Sequence, residues 1–197
     1  MSNNSDELVK EVLNGNEAAM ELLVKKNYKI VHSYVYRYVG DYEISYDITQ
    51  EVFIKMMKNL HRYKNDNSKF ESWLLKIACN HCKDYFKSKS YRERSESIEI
   101  NDVELKDKEV VVDILERNER RKEVKKAVDS LPKMQKEAII LKYYNDLKIQ
   151  EISEITGENI NTIKSRLFNG VKNLKKYIGG EANERKRAIN KWGWIIR

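Results

Sequence analysis

The chain has 197 residues, of which 35% are Asp, Glu, Lys or Arg, with one proline, seven glycines and a net charge of +7. So few turn-forming residues among so many charged ones exclude a many-stranded β fold and predict an all-α protein of one large or two small domains. No apolar run nears the roughly 18 residues of a membrane span, and the acidic, amphipathic start "MSNNSDELVKEVLNG" is unlike a secretory signal, so the expected location is cytoplasmic.

The charge lies in blocks. Residues 1–54 carry 9 acids and 5 bases, 55–94 carry 4 and 11, 95–119 carry 9 and 3, and 120–197 carry 9 and 19. Two basic blocks suited to a polyanion therefore flank an acidic stretch, "SESIEINDVELKDKEVVVDILERNE". Its low apolar density reads as a linker, although its second half, from about Val110, suits an acidic solvated helix equally well.

In "SYDITQEVFIKMMKNL", Ile48, Val52, Met56 and Leu60 recur every four residues and predict the buried stripe of a helix. Asp47, Gln50, Glu51 and Lys55 lie on its other side, which taken alone reads as a solvated face. The polar stretch "HRYKNDNSKFESWL" follows, with turn composition at Asn65-Asp66-Asn67-Ser68. Asn67 or Ser68 suits the cap of the next helix.

That helix, about Phe70 to Lys87, places Leu74, Leu75, Ala78, Cys79, Cys82, Tyr85 and Phe86 in one arc. Trp73, Lys76, Asn80, Asp84 and Lys87 fall in a nearly opposite arc. The two cysteines of the chain, with His81 between them, therefore sit mid-helix on the apolar side and read as small hydrophobes. A redox pair needs an exposed helix N-terminus. A zinc site needs ligands that His32 and His61, remote in sequence, do not readily supply. Neither a metal nor a cofactor is expected, and no catalytic residue. The opposite arc offers Trp73 for stacking on unpaired bases, an amide for base edges and cations for phosphates. A Trp at the edge of the core is the competing reading of Trp73.

After the acidic stretch, Pro132 suits a first helical turn, and the helix from there turns Ala138, Leu141 and Tyr144 inward. A short helix at about Ile149 to Ile155, a break at Gly157 and a third helix from about Ile160 predict a helix-turn-helix whose last helix enters the DNA major groove. On that helix Ile160, Ile163, Leu167, Leu174 and Ile178 line one side. Asn161, Lys164, Ser165, Phe168 and Lys172 line the other, with Arg166 and Asn169 on the flank. Asn161 to Ile178 holds five bases and no acid. A Phe on the polar side argues against a merely solvated helix, because thymine methyls offer it a partner in the groove.

These motifs together resemble a bacterial RNA polymerase sigma factor of the extracytoplasmic-function group. The family's Asp, Gln and Phe at three-residue steps, followed by a Trp-Leu helix, are matched by Asp47, Gln50, Phe53 and "FESWLLKIACNHCKDYF". Its Leu-Pro, Glu-Ile and Thr-Ile-Lys-Ser-Arg-Leu elements are matched by Leu131-Pro132, Glu151-Ile152 and "NTIKSRLFNG". The departures are Ser45-Tyr46-Asp47 where Ala-Glu-Asp is usual and Glu151-Ile152-Ser153 where Glu-Ile-Ala is usual.

The resemblance implies two small helical domains, sigma region 2 over 1–94 and sigma region 4 over 120–178, joined by an acidic linker over 95–119. It implies that Asp47, Gln50, Glu51 and Phe53 dock on core RNA polymerase. His61, Phe70, Trp73, Lys76, Asn80, Lys83 and Lys87 then meet the -10 element of promoter DNA. Asn161, Thr162, Lys164, Ser165, Arg166, Phe168 and Lys172 meet the -35 element. The implied partners are core polymerase, promoter DNA and an anti-sigma factor, with no small-molecule substrate and a free protein that is monomeric. The tail from residue 179, "GGEANERKRAINKWGWIIR", has no placed role. A stand-alone helix-turn-helix regulator is the alternative, but it leaves the "DITQEVF" helix and the Trp73 face without a purpose.

Overall fold

A computed structural model describes residues 5–64, 69–88 and 122–179. Eight helices make up these residues, and no strand occurs among them. Helix α1 spans Ser5–Leu13, α2 Glu17–Val39, α3 Tyr42–Asn59 and α4 Phe70–Lys87, with a 3-10 turn at Leu60–Arg62. Helix α5 covers 122–129, α6 spans Lys133–Ile139 and runs into a π-helical turn at Ile140–Tyr144, α7 spans Ile149–Thr156 and α8 spans Ile160–Gly179.

The caps explain where the helices break. Asn16 Oδ1 accepts the Ala19 N–H to start α2, and Gly40, at φ 88°, closes it in the left-handed region that glycine enters freely. Asp41 Oδ1 accepts the Ile44 N–H at 2.9 Å, which starts α3 after a single intervening turn. At α4 the residue before the helix is Lys69, and no side chain caps it. Asn67 and Ser68, expected to do so, lie outside the described residues, as do the 95–119 linker and the tail.

In the N-terminal half, α2, α3 and α4 pack against one another, and α1 closes one end. The predicted stripe is inside: Ile48, Val52, Met56 and Leu60 are each buried, as are Leu74, Leu75, Ala78, Cys79 and Cys82. Tyr85 and Phe86 are only half-buried. Two long-range hydrogen bonds tie α1 to this bundle, Ser5 Oγ donating to Glu71 Oε1 at 2.5 Å and Tyr63 Oη to Asp6 Oδ1 at 2.7 Å.

In the C-terminal half, α6, α7 and α8 enclose Ala138, Ile139, Ile140, Leu141, Ile152, Ile155, Ile163 and Leu167. The π-helical turn corrects the simple helix expected from Pro132. Its extra residue per turn lets Ile140 and Leu141 both face inward, while Tyr144 swings outward to lie under the Arg37 guanidinium at 4.4 Å. Ile160, expected on the inner side of α8, is 36% exposed at the open start of that helix. The cores of the two halves are continuous: α4 packs on α7, and α2 on the π-helical turn.

Candidate nucleic-acid interface

Helix α8 presents one face from a single element. Gly157, at φ 74°, ends α7 with its N–H on Ser153 O, and Asn159 Oδ1 accepts the Thr162 N–H at 2.8 Å to start α8. Close approach to α6 is possible because residue 170 is glycine; a Cβ there would stand 3.0 Å from Ile139 Cγ1. With Ile163 and Leu167 turned inward, Asn161, Lys164, Ser165, Phe168 and Lys172 point outward, and Phe168 is 71% exposed. Thr162 is half-buried. Arg166 is held aside: its guanidinium pairs with Glu158 at 2.7 Å and its side chain is only 17% exposed. The N-terminal end of α8 carries the positive end of the helix dipole, which favours phosphate.

The second face is shared by two helices. His81 on α4 bridges to α3, its Nε2 lying 2.6 Å from Glu51 Oε2 and its Nδ1 2.5 Å from Lys55 Nζ. Beside this bridge lies a cleft of about 310 Å³ lined by Lys55, Asn59, Arg62, Trp73 and Asn80 among others. An aromatic ring, two amides and two cations, with one carboxylate at Asp84, lie in one open groove, a set suited to stacking, base-edge and phosphate contacts with an unpaired strand.

Of the residues expected here, Lys76, Asn80 and Lys87 are exposed, Trp73 is half-buried and His61 is exposed on the 3-10 turn. Phe70 is fully buried, its ring 5.6 Å from that of Trp73 and 5.4 Å from that of Tyr63, so it positions Trp73 from beneath. Lys83 does not face the cleft; its ammonium is 3.1 Å from Glu137 of α6. The sequence reading missed Lys55, Asn59 and Arg62 as members of this groove. Their 4- and 3-residue spacing at the end of α3 is a polar stripe that could have marked them.

Asp47, Gln50 and Glu51 are exposed on α3, Glu51 at the edge where it meets His81, and Tyr46 and Ile54 flank them at 46% and 43% exposure. Phe53 is turned away: 5% exposed and stacked on Tyr28 at 6.1 Å, it fastens α3 to α2.

Cys79 and Cys82 are free, fully buried thiols. Burial, reinforced by the neighbouring Glu137 carboxylate, pushes the Cys79 thiol up to about 12. Cys82 is also raised, by burial and then by Cys79 and Glu137. Both environments suppress the thiolate that redox or metal chemistry requires.

A helical bundle followed by a helix-turn-helix, each with an outward polar and aromatic face, is the architecture of a protein that handles nucleic acid through two separate surfaces. Residues 23–92 match Sigma-70 region 2, and residues 121–174 match Sigma-70, region 4. The ECF RNA polymerase sigma-E factor of Escherichia coli K12 is 32% identical over 168 residues, covering 82% of this chain and 87% of the relative. The RNA polymerase sigma-H factor of Pseudomonas aeruginosa is 28% identical over 169 residues, with 82% and 87% coverage. The sigma factor RpoE solved in complex with the anti-sigma factor NepR from Bartonella quintana superposes with a TM-score of 0.66 at 21% identity, over 82% of this chain and 98% of that one. CnrH, solved with the cytosolic domain of CnrY, superposes at 0.63 and 18% identity over 89% and 97%. Both share the fold. The chain belongs to the extracytoplasmic-function group of RNA polymerase sigma factors, non-enzymatic subunits of transcription initiation. Residues 23–92 are therefore region 2 and residues 121–174 region 4. The stand-alone regulator is set aside, because region 2 accounts for the helices which that reading left unused. No described helix is long and apolar enough to cross a membrane.

Proposed function

We propose that the two faces divide promoter recognition between them. Helix α8 lies in the major groove of the -35 element, with Lys164, Lys172 and the α8 N-terminus on phosphates and Asn161, Ser165 and Phe168 at base edges. The observation that carries this reading is Phe168, an aromatic ring 71% exposed amid cations, which gains a partner only when the helix is seated. Thr162 and Arg166 support the helix start, and Arg166 can leave Glu158 for a phosphate.

The α3/α4 groove takes the unpaired strand of the -10 element, with Trp73 as the stacking platform, Asn80 at a base edge and Lys76, Lys87 and His61 along the backbone. Extruding a base costs a few kcal/mol, which stacking worth about 1–3 kcal/mol per base offsets. Core polymerase docks on the outer side of α3 through Asp47, Gln50 and Glu51, with Phe53 holding that helix in place. The free protein is a cytoplasmic monomer restrained by an anti-sigma factor. Domain boundaries follow the charge blocks, 1–94 and 120–178, with the acidic 95–119 stretch between them.

Run-off transcription with core polymerase, using the region upstream of the protein's own gene as the first template, tests the division. Base changes in the -35 element should be felt by Lys164→Ala and not by Asn80→Ala, and changes in the -10 element the reverse. Identical responses of the two variants to both elements would overturn it.

A further inference from the structure

Glu137 sits on α6 at 1% exposure, yet the polar partners of its side chain lie on region 2. Its Oε1 accepts from the Cys79 thiol at 2.6 Å and lies 3.1 Å from Lys83 Nζ, both on α4 of region 2, and its Oε2 has no partner. Burial alone would lower the Lys83 pKa, but the Cys79 and Glu137 groups beside it outweigh that and raise it. The surrounding contacts cross the same boundary. Arg37 lies over Tyr144 at 4.4 Å, Lys125 over Tyr36 at 5.2 Å and Lys133 over Phe86 at 4.5 Å. The seam thus joins a shared apolar core to a buried carboxylate and cation–π contacts, and the charged groups regain hydration when it parts, which offsets part of the cost of exposing the apolar surface.

The closed arrangement also conflicts with the work of the two faces. Elements centred at -10 and -35 lie about 25 base pairs, or about 85 Å, apart along B-form DNA. A compact globule of this chain length is roughly 40 Å across. Residues 89–121 can reach at most about 110 Å when extended, so chain length permits separation. Lys83 follows Lys76 by seven residues and Asn80 by three, which puts it on the edge of the same α4 stripe once Glu137 leaves.

We propose that Glu137 is an autoinhibitory latch: in the free protein it holds region 4 against region 2 through Lys83 and withholds that lysine from -10 DNA. The DNA half of this statement rests on the assignment of α4 and α8 to different promoter elements; the latch itself does not. Glu137 occupies Lys83 as a phosphate would, and opening exchanges one anion for the other.

The two buried thiols report the latch in the full-length chain. Maleimide labelling of Cys79, localised by mass spectrometry, should be slow in the free wild type, whose radius of gyration by X-ray scattering should be that of a compact globule. Lys83→Glu sets two carboxylates face to face and should label at least about tenfold faster, with unchanged helical circular dichroism; the exchange Lys83→Glu/Glu137→Lys should restore slow labelling. Should Lys83→Glu lose helix, Glu137→Gln keeps the side-chain size and should raise the radius of gyration above the wild-type value, a readout that losing the carboxylate beside Cys79 does not itself move. A folded Lys83→Glu protein that labels at the wild-type rate, a Glu137→Gln protein as compact as wild type, or a free wild type that is already extended, overturns the latch. Core polymerase separates this from the family role: a complex that co-elutes while Cys79 stays protected overturns the latch alone. Failure to co-elute counts against the polymerase reading and leaves the free-protein results to decide the latch.

Discussion

The two nucleic-acid faces are built differently. The α8 face is carried by one helix whose exposed side chains follow its own 3.6-residue period, and what surrounds it only sets its height above α6 through Gly170. The α3/α4 face exists only where two helices meet: the His81 bridge to Glu51 and Lys55 fixes their spacing, and Phe70 underneath fixes the tilt of Trp73. A one-helix face tolerates loss of single side chains, whereas a two-helix face depends on residues that never touch DNA.

The largest expected effect breaks this contrast at its buried end. Phe70→Ala removes a fully buried ring between Tyr63 and Trp73 and should cost about 3–5 kcal/mol of region 2 stability, read as a lowered thermal midpoint. The α8 helix packs elsewhere and should keep its affinity for a -35 duplex; parallel loss of both would show that the two faces are not independently built.

Alkaline pH probes the seam next to the two-helix face. Cys79, Cys82, Tyr34 and Tyr38 all have raised pKa values, burial being the first cause for each. A group kept protonated in the folded state binds its proton more tightly there than when unfolded. Its contribution is therefore intact below the unfolded value, about 8.5 for a thiol, and is lost as pH rises toward the folded one, about 12 for Cys79. Stability should fall above about pH 8.5 for the thiols, and above about pH 10 for the tyrosines, by up to about 1.4 kcal/mol per pH unit for each group. Thermal melts of Cys79→Ala/Cys82→Ala should show a shallower alkaline slope than wild type, and equal slopes would remove the thiols from the account.

On the one-helix face, Lys164→Ala should weaken -35 binding by about 1–2 kcal/mol and reduce its salt dependence by roughly one counterion, measured by fluorescence anisotropy across salt concentrations. Retention of the wild-type salt slope would place Lys164 off the backbone. The smallest effect is expected from Asn80→Ala, a few-fold loss of promoter opening in permanganate footprinting with duplex binding unchanged. An equal loss of duplex binding would assign Asn80 to the closed complex.

The C-terminal region was the more legible in sequence, since its break at Gly157, its inward isoleucines and its outward cations all obey local rules. The π-helical turn was not legible, because an extra residue per turn leaves no mark in composition. Helical period alone places Asn80, which lines the groove, and the exposed Lys76 on one side of α4, whereas Phe53 and Phe70, expected to contact polymerase and DNA, lie inside. An aromatic ring suits a base and a core equally, and only the neighbours Tyr28, Tyr63 and Trp73 decide between them.

Sequence by itself determined the helical class, the order of the two basic blocks and the apolar side on which Cys79 and Cys82 lie, because period and charge are properties of neighbours along the chain. Tertiary structure alone decided that Glu137 would be buried against Lys83 and Cys79, and that His81 would join α3 to α4. Those pairings bring together residues 26 to 58 positions apart, and no local propensity encodes which of several lysines meets a given carboxylate.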